Sequence, residues 1–350
     1  MNIPETMKAA VMRGVKQFEI ERVPVPEIGP DDILIKVMAC GICGSDLLAY
    51  YGQHPRIKYP RIPGHEFSGI VVKVGENADN VKIGDRVTSE MQVRCGKCWA
   101  CRHGYLNHCV TKASIGLSED GAMAQYVKVP AINAIKLPEN VDFEIGAVAE
   151  TLAVGYNAVR LKAKVGAGDI VVIIGAGSVG MDVLLAAKAS GAYIIISDII
   201  KERLCIAQKA GASRVVQTGV EDLKSVVMEV SQGRGADKVF ETVGGNSTGT
   251  VRLAVEIVRP LGTVMVLGTN SNNSSEFPVT TFKENEIVMM GSRGIPYDCL
   301  ERALLILEQE QVDLQLVISH RLDLDDVKNA FEMFENQKDK TLKMVINKFD

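Results

Sequence analysis

The stretch "IVVIIGAGSVGMDVLLAAKASGAYIIISD", residues 170–198, decides the fold of this chain. Its first five residues, Ile170 to Ile174, form an apolar run suited to a buried parallel strand. That run feeds Gly175-x-Gly177-x-x-Gly180, and an alanine- and leucine-rich helical pattern follows. A second apolar run, Ile194 to Ile196, ends at Asp198. Strand, glycine loop, helix, strand and terminal acid together make the βαβ fingerprint of dinucleotide binding. Gly175 makes the tight turn, Gly177 lets the backbone approach a pyrophosphate, and Gly180 permits close helix–strand packing. The loop residues Ser178 and Val179 open the helix, whose positive end faces the phosphates. Asp198 lies where a carboxylate binds the adenine ribose hydroxyls, and its charge repels a 2′-phosphate. NAD is therefore expected over NADP. Arg203 either touches the adenosine end or is a solvated helix charge; the sequence favours neither.

Working outward, further apolar runs recur at 214–216, 237–240, 262–267 and 286–291, with helical patterns between them. With the first two they give six strands, as a doubly wound α/β sheet requires. "ETVGG" 241–245 and "VLGT" 266–269 close two of the runs with small residues. Ligands lie at the carboxyl ends of such strands, so Val243, Leu267, Gly268 and Thr269 should border the nicotinamide. The first 150 residues read differently. Short β runs, "KAAVM", "DILIKVMA", "SGIVVKVG" and "AQYVKV", are punctuated by Gly-Asp, Pro and Asn turns, which indicates a β-rich, barrel-like domain. After residue 292 come a helical pattern, "YDCLERALLILEQEQ", and a last strand, "LKMVIN", expected to return to the first domain. The expected boundaries are 1–152 with 292–350 for the β-rich domain and 153–291 for the dinucleotide domain.

The 350 residues are 47% hydrophobic, enough for two cores, and carry a net charge of −4 with no run of like charges. Nucleic acid and anionic membrane are unexpected partners. No apolar run approaches a membrane span and no secretory signal is evident, so a cytoplasmic location is expected. In a reducing compartment, clustered cysteines point to metal rather than disulfides. "CGKCWACRHGYLNHC", 95–109, spaces Cys95, Cys98, Cys101 and Cys109 as C-x2-C-x2-C-x7-C. Four thiolates with no place for water are the signature of a structural zinc. A bacterial iron–sulfur motif also begins this way, but its fourth cysteine follows after three residues and precedes a proline. Being closed, such a site leaves the chemistry elsewhere.

A sparser set lies upstream, in "ACGICGSDL" 39–47 and "YPRIPGHEFSG" 59–69. Cys43, His65 and Glu66 offer a thiolate, an imidazole and a carboxylate, the mixed three-ligand set of a catalytic zinc with an open position. Glu150, in the apolar "GAVAETLAVGYNAV", should meet a cation, because a buried unpartnered carboxylate is costly. Each residue also has a plain reading: a satisfied core histidine, small core cysteines, a helix-end charge. Spacing alone leaves both readings open.

Together these residues resemble the zinc-dependent medium-chain dehydrogenase family, in its GroES-like plus Rossmann arrangement. The likeness spans nearly the whole chain and lies closest to sorbitol-, galactitol-phosphate- and sugar-acid-type enzymes. It implies that Cys43, His65 and Glu66 surround a catalytic zinc, with Glu150 at the remaining position, where Thr151 replaces the usual proline. It implies two zincs per chain and NAD, and a reaction converting a secondary hydroxyl of a polyol, sugar acid or sugar-alcohol phosphate to a ketone. Ser45 would take up the proton and Asp46 would brace a zinc-bound histidine. Many relatives carry a histidine five residues after the first zinc cysteine; here Leu48 stands there, so proton exit must use water, cofactor hydroxyls or, if the loop folds back, His54. Tyr51, His54 and Arg293 are candidate substrate contacts, the guanidinium fork suiting a carboxylate or phosphate. The family suggests a homodimer or homotetramer. A threonine-type amino-alcohol dehydrogenase would share most motifs. A zinc-free quinone reductase would lack both metal sets, and an NAD-binding redox sensor would keep them without catalysis.

Overall fold

The computed structural model describes residues 3–350 other than 112, 246, 247, 270–273, 297 and 338. The chain packs as two compact units. One comprises Met1–Glu150, Pro296–Glu308 and Ile318–Asp350; the other comprises Thr151–Ile295 and Gln309–Val317.

The second unit is built on the opening stretch. Its strands are, in chain order, Ile170–Ile174, Tyr193–Asp198, Arg214–Gln217, Ala236–Glu241, Val258–Val266 and Val288–Gly291. All pair in parallel, in the spatial order 3-2-1-4-5-6. That is the doubly wound order, in which the chain reverses direction beside the first strand and leaves a crevice at the strands' carboxyl ends. Val171 through Ile174 are all buried, because helices cover both faces of a parallel sheet. Val172, Ile195, Val216, Val239 and Val264 line one side of this core, where each fully buried side chain contributes about 1.5–3 kcal/mol. Residues 309–317 pack here too, with the turn Leu314–Val317 against the helix Lys201–Ala210.

The first unit is a β domain whose spine is the eleven-residue strand Asp32–Ile42. Antiparallel partners flank it: Glu66–Val74, Tyr126–Pro130 and the last strand of the chain, Lys343–Lys348. The C-terminal strand thus returns to the first unit, and its register sets Met344 opposite Ile42 and Val345 opposite Gly41. On the other side of the spine Gly41 faces Glu66. The two registers bring Lys343 and Glu66 to the same end of one strand, although 277 positions separate them in sequence. Phe67, Ile33, Ile35 and Phe331 are buried in this core, and Phe18, Tyr50 and Phe331 form an aromatic cluster with centroids 4.9–5.5 Å apart. Among the described residues no helix is long and apolar enough to cross a membrane.

Candidate active site and metal centres

Two groups of metal-ligating side chains converge among the described residues. In each, the potential ligand atoms lie within 4.8 Å of one another. The first is Cys95, Cys98, Cys101 and Cys109. Gly96 and Gly104, at φ +68 and +80, turn the loop, and the short helix Trp99–Arg102 starts from Cys98. Backbone N–H groups point at sulfur: Cys95 N donates to Cys109 Sγ at 3.4 Å and Cys101 N to Cys98 Sγ at 3.5 Å. Cys101 and Cys109 differ sharply in acidity. Burial and the neighbouring Cys98 and Cys109 push Cys101 up to about 12. Burial opposes ionisation of Cys109, but the Thr111 hydroxyl, 3.1 Å from Sγ, and backbone donors bring it down to about 6. Four thiols this close cannot all ionise by themselves; a bound cation resolves that conflict. The donor set and its closeness fit zinc.

The second group is Cys43, His65 and Glu66. Cys43 caps the helix Gly44–Tyr50, His65 directly precedes the strand Glu66–Val74, and Glu66 opens it. Buried Asp46 ties the pieces together. Its Oδ2 accepts from Cys43 N at 2.9 Å, and its Oδ1 lies 3.4 Å from His65 Nδ1. The other ring nitrogen, Nε2, lies 3.3 Å from Ser45 Oγ. Burial opposes charge on His65, but Asp46 and Cys43 outweigh it and hold the imidazole's pKa well above its ordinary value. A histidine wedged between a carboxylate and a thiol is the environment a divalent cation takes over. Gly64, at φ +95, lets the chain enter here; a Cβ on it would sit 2.7 Å from Cys40 Sγ and 2.9 Å from Met123 N.

Glu66 has a partner that no local motif foreshadows. Lys343 Nζ donates to both of its oxygens at 2.8 Å, and the pair is buried. The only trace of Lys343 in the sequence is a cation at the start of the otherwise apolar run "LKMVIN", 342–347. A Cβ on Gly41 would stand 2.5 Å from Glu66 Oε2, so glycine keeps the space this pair occupies. Glu150 is buried but lies outside the close trio. Burial raises its pKa to about 7, with His65 and Lys343 drawing it down and Glu66 pushing it up. His65 and Lys343 offset part of the cost of burying this carboxylate, but burial dominates. The adjacent Thr151 donates its hydroxyl to Asp182 at 3.0 Å. Removing one partner of a buried pair leaves an uncompensated charge. Lys343→Met is therefore expected to destabilise the metal-free protein by about 3 kcal/mol, and the zinc-loaded protein by less, since zinc offsets the Glu66 charge. Urea unfolding with and without chelator checks this; an equal loss in both conditions contradicts it.

In the second unit the glycine loop has the geometry its spacing demands. Gly175 is at φ +101, and a Cβ on Gly180 would lie 1.9 Å from Gly175 O. Gly177 caps the helix Ser178–Lys188, with Ser178 half-buried and Val179 exposed at its open end. Asp198 stands at the end of the second strand. Its oxygens accept from Ala176 N at 2.6 Å and Ile200 N at 2.8 Å, which fixes the carboxylate beside the loop. The Arg203 guanidinium lies beside the Gly177 turn, where a Cβ would be 3.7 Å from Nη1. Val243, Leu267, Gly268 and Thr269 lie beyond the ends of the fourth and fifth strands, joined by Leu267 N to Glu241 O and Gly245 N to Thr269 O. Glu241 belongs to no motif. It is buried, and its Oε1 accepts from Val243 N at 3.0 Å and Thr250 Oγ1 at 2.9 Å, which holds this crevice-side loop. Its signal was an acid ending an apolar strand.

The substrate candidates separate. Tyr51 and His54 are half-buried in the first unit, downstream of the Cys43 helix, and Arg293 is exposed in the second. Leu48 is 39% exposed.

Fold and sites define a zinc-binding, dinucleotide-dependent dehydrogenase. The alcohol dehydrogenase GroES-like domain matches residues 29–139, and the zinc-binding dehydrogenase domain matches 178–308. D-arabitol-phosphate dehydrogenase of Enterococcus avium is 34% identical, covering 94% of each chain. L-threonine 3-dehydrogenase of Caldanaerobacter subterraneus is 35% identical, over 91% of this chain and 94% of that one. An alcohol dehydrogenase of Escherichia coli CFT073, solved with NADH, superposes with a TM-score of 0.91 at 26% identity, covering 98% of this chain and all of that one. The protein belongs to the zinc-binding alcohol dehydrogenase family. It is an oxidoreductase that uses zinc and a nicotinamide dinucleotide.

Proposed function

We propose that the protein reversibly oxidises a secondary hydroxyl of a polyol or polyol derivative to a ketone, with NAD as acceptor. The observation that carries this reading is the convergence of Cys43, His65 and Glu66 with the Ser45 hydroxyl beside His65. Cys43, His65 and Glu66, with Glu150 close by, hold the catalytic zinc, and the four lobe cysteines hold the structural one. When bound, zinc supplies a Lewis acid that makes a hydroxyl more acidic, and the dinucleotide supplies the hydride acceptor. Asp46 orients the His65 ring and fixes the Cys43 backbone. Ser45 Oγ takes the substrate's proton while passing its own towards solvent. The glycine loop and helix 178–188 bind the pyrophosphate, and Asp198 binds the adenine ribose and excludes a 2′-phosphate. Arg203, Val243, Leu267, Gly268 and Thr269 complete the cofactor site, and Tyr51, His54 and Arg293 are candidate substrate contacts.

The E. avium relative, named for a polyol phosphate, supports the substrate class. A panel of polyols, polyol phosphates, sugar acids, threonine and hexanol, each with NAD and NADP, tests it. Turnover confined to threonine or hexanol, or a preference for NADP, overturns it; NAD binding without NADH formation on any alcohol would indicate a redox sensor. A second copy of the chain is the proposed partner. Among the described residues the last strand of the parallel sheet, Val288–Gly291, pairs on one side only, and Val288 is 48% exposed. Such an edge favours pairing with an identical strand; a monomer mass by light scattering contradicts this. Eight cysteines, four of them in a metal-binding lobe, suit a reducing compartment such as the cytoplasm.

A further inference from the structure

A cavity of about 740 Å³ opens in the first unit, and its walls include neither metal set. Four acids line it, Asp31, Asp79, Glu90 and Glu301, against one cation, Lys136. That cation has a partner outside the lining, since Lys136 Nζ lies 2.9 Å from Asp85 Oδ2. Side-chain amides hold the walls in place. Asn77 Nδ2 donates to Asp31 Oδ1 and Asn80 Nδ2 to Ala131 O, each at 2.8 Å. Asn133 Nδ2 donates to Glu90 O at 2.9 Å and to Gln92 O at 3.0 Å, which fixes the backbone that carries Glu90.

Glu90 singles this cavity out. It is 2% exposed. Arg94 pairs with its Oε2, yet Oε1 is buried and has no hydrogen-bond partner among the described residues. A buried carboxylate oxygen without a donor is costly, and a donor from outside the chain removes that cost. Burial raises the pKa of Glu90 to about 7; Arg94 opposes the rise, and Glu150 and Glu301 add to it. Glu301 is thus close enough for Glu90 to feel its charge. Acceptors under excess negative charge call for a ligand with N–H donors and positive charge.

The acids do not close around one ion. Among the described residues, the groups of three or more metal-ligating atoms within 4.8 Å of one another are the two zinc sets alone. The negative charge is instead spread along walls that also present Ala78, Ile132 and Ile135, and Ile132 is 68% exposed. Carboxylates interleaved with alkyl side chains match a methylene chain carrying ammonium groups at intervals. Such a stem covers apolar surface while its charged ends meet anions. A preformed, partly apolar cavity with a few placed polar groups is the ordinary form of a small-molecule site.

We infer that this cavity binds a linear aliphatic polyamine, one amine donating to Glu90 and the others meeting Asp79 and Glu301. The site is separate from both zinc sets, and the inference holds whatever alcohol the enzyme oxidises.

Calorimetric titration of the zinc-loaded protein with spermidine, butane-1,4-diamine, butylamine and magnesium chloride tests this. Ionic strength is held constant at about pH 8, where Glu90 is ionised. Spermidine should bind about tenfold more tightly than butane-1,4-diamine, the worth of one further charge-assisted contact. Butylamine and magnesium at the same concentration should not displace it. Asp79→Asn combined with Glu301→Gln changes two exposed side chains and should weaken spermidine by about three- to tenfold, with melting temperature and zinc content unchanged. Glu90→Gln should weaken it by about tenfold or more. If Glu90→Gln fails to fold because Arg94 loses its partner, the exposed double variant decides. Absence of spermidine binding, displacement by magnesium as effective as by butane-1,4-diamine, or native affinity in the exposed double variant each overturns the site.

Discussion

Cys101→Ser is expected to lose the zinc of the 95–109 lobe and to melt far below the native protein, with activity falling as a consequence. The four sulfurs lie within 4.8 Å of one another, and in the free lobe Cys101 keeps its proton because burial and its neighbours push it up to about 12. Zinc displaces such protons, so its binding supplies the free energy that holds the loop. In small domains that contribution is on the order of 10 kcal/mol. A hydroxyl in place of Sγ is a poor fourth ligand, and roughly 5 kcal/mol or more should be lost. Protons compete with the metal, so the lobe's apparent zinc affinity should fall more steeply with acid below about pH 6, where the Cys109 thiol of the metal-free lobe takes up its proton. The chain has a built-in reporter. Its one tryptophan, Trp99, follows Cys98 and stacks on His103 at 4.7 Å and Tyr105 at 5.5 Å. Its emission should shift as the lobe opens, while metal analysis falls from two zincs per chain to one. A variant that melts as the native protein does, yet loses turnover, would show that the lobe takes part in the chemistry.

Ser45→Ala should do the opposite: keep both zincs and the native melting temperature, and lower kcat by about a hundred- to ten-thousandfold. The hydroxyl is 3.3 Å from His65 Nε2, on the half-buried first turn of the helix that Cys43 caps. A hydroxyl there can both accept a proton and release one. Leu48 has no proton to offer at the position where many relatives have histidine. His54 is held neutral by burial and Arg56, and its removal should leave kcat within about threefold, below the range of a general acid–base contribution. A loss in His54→Ala matching that in Ser45→Ala would move the relay onto the imidazole.

Much of this site was readable along the chain because its determinants are local. A metal-binding lobe needs its cysteines within one loop, and a dinucleotide turn needs its glycines within six residues; both constraints are written as spacing. The departures were readable too, as Leu48 and Thr151, but their resolution was not. Thr151 meets Asp182, which lies 31 positions away, and the hydroxyl–carboxylate contact is visible only in the fold. Glu241 and Glu90 belong to no motif for the same reason. Each acts through contacts with residues across a turn or a loop, Val243 and Thr250 for one and Arg94 and Asn133 for the other.

By itself, the sequence determined the doubly wound half, from Gly175 to Asp198, the β-rich half, and both sets of metal-ligating side chains. Short-range periodicity and spacing carry that information, because strands, helices and chelating loops form from neighbours. Only the tertiary structure decided the environment of the two carboxylates. Strand register sets Glu66 against Lys343 across Gly41, and Glu150, on the helix Phe143–Tyr156, lies outside the ligand trio. The charge a buried carboxylate meets depends on which strand lies beside it, and strand pairing between residues 277 apart has no local signature.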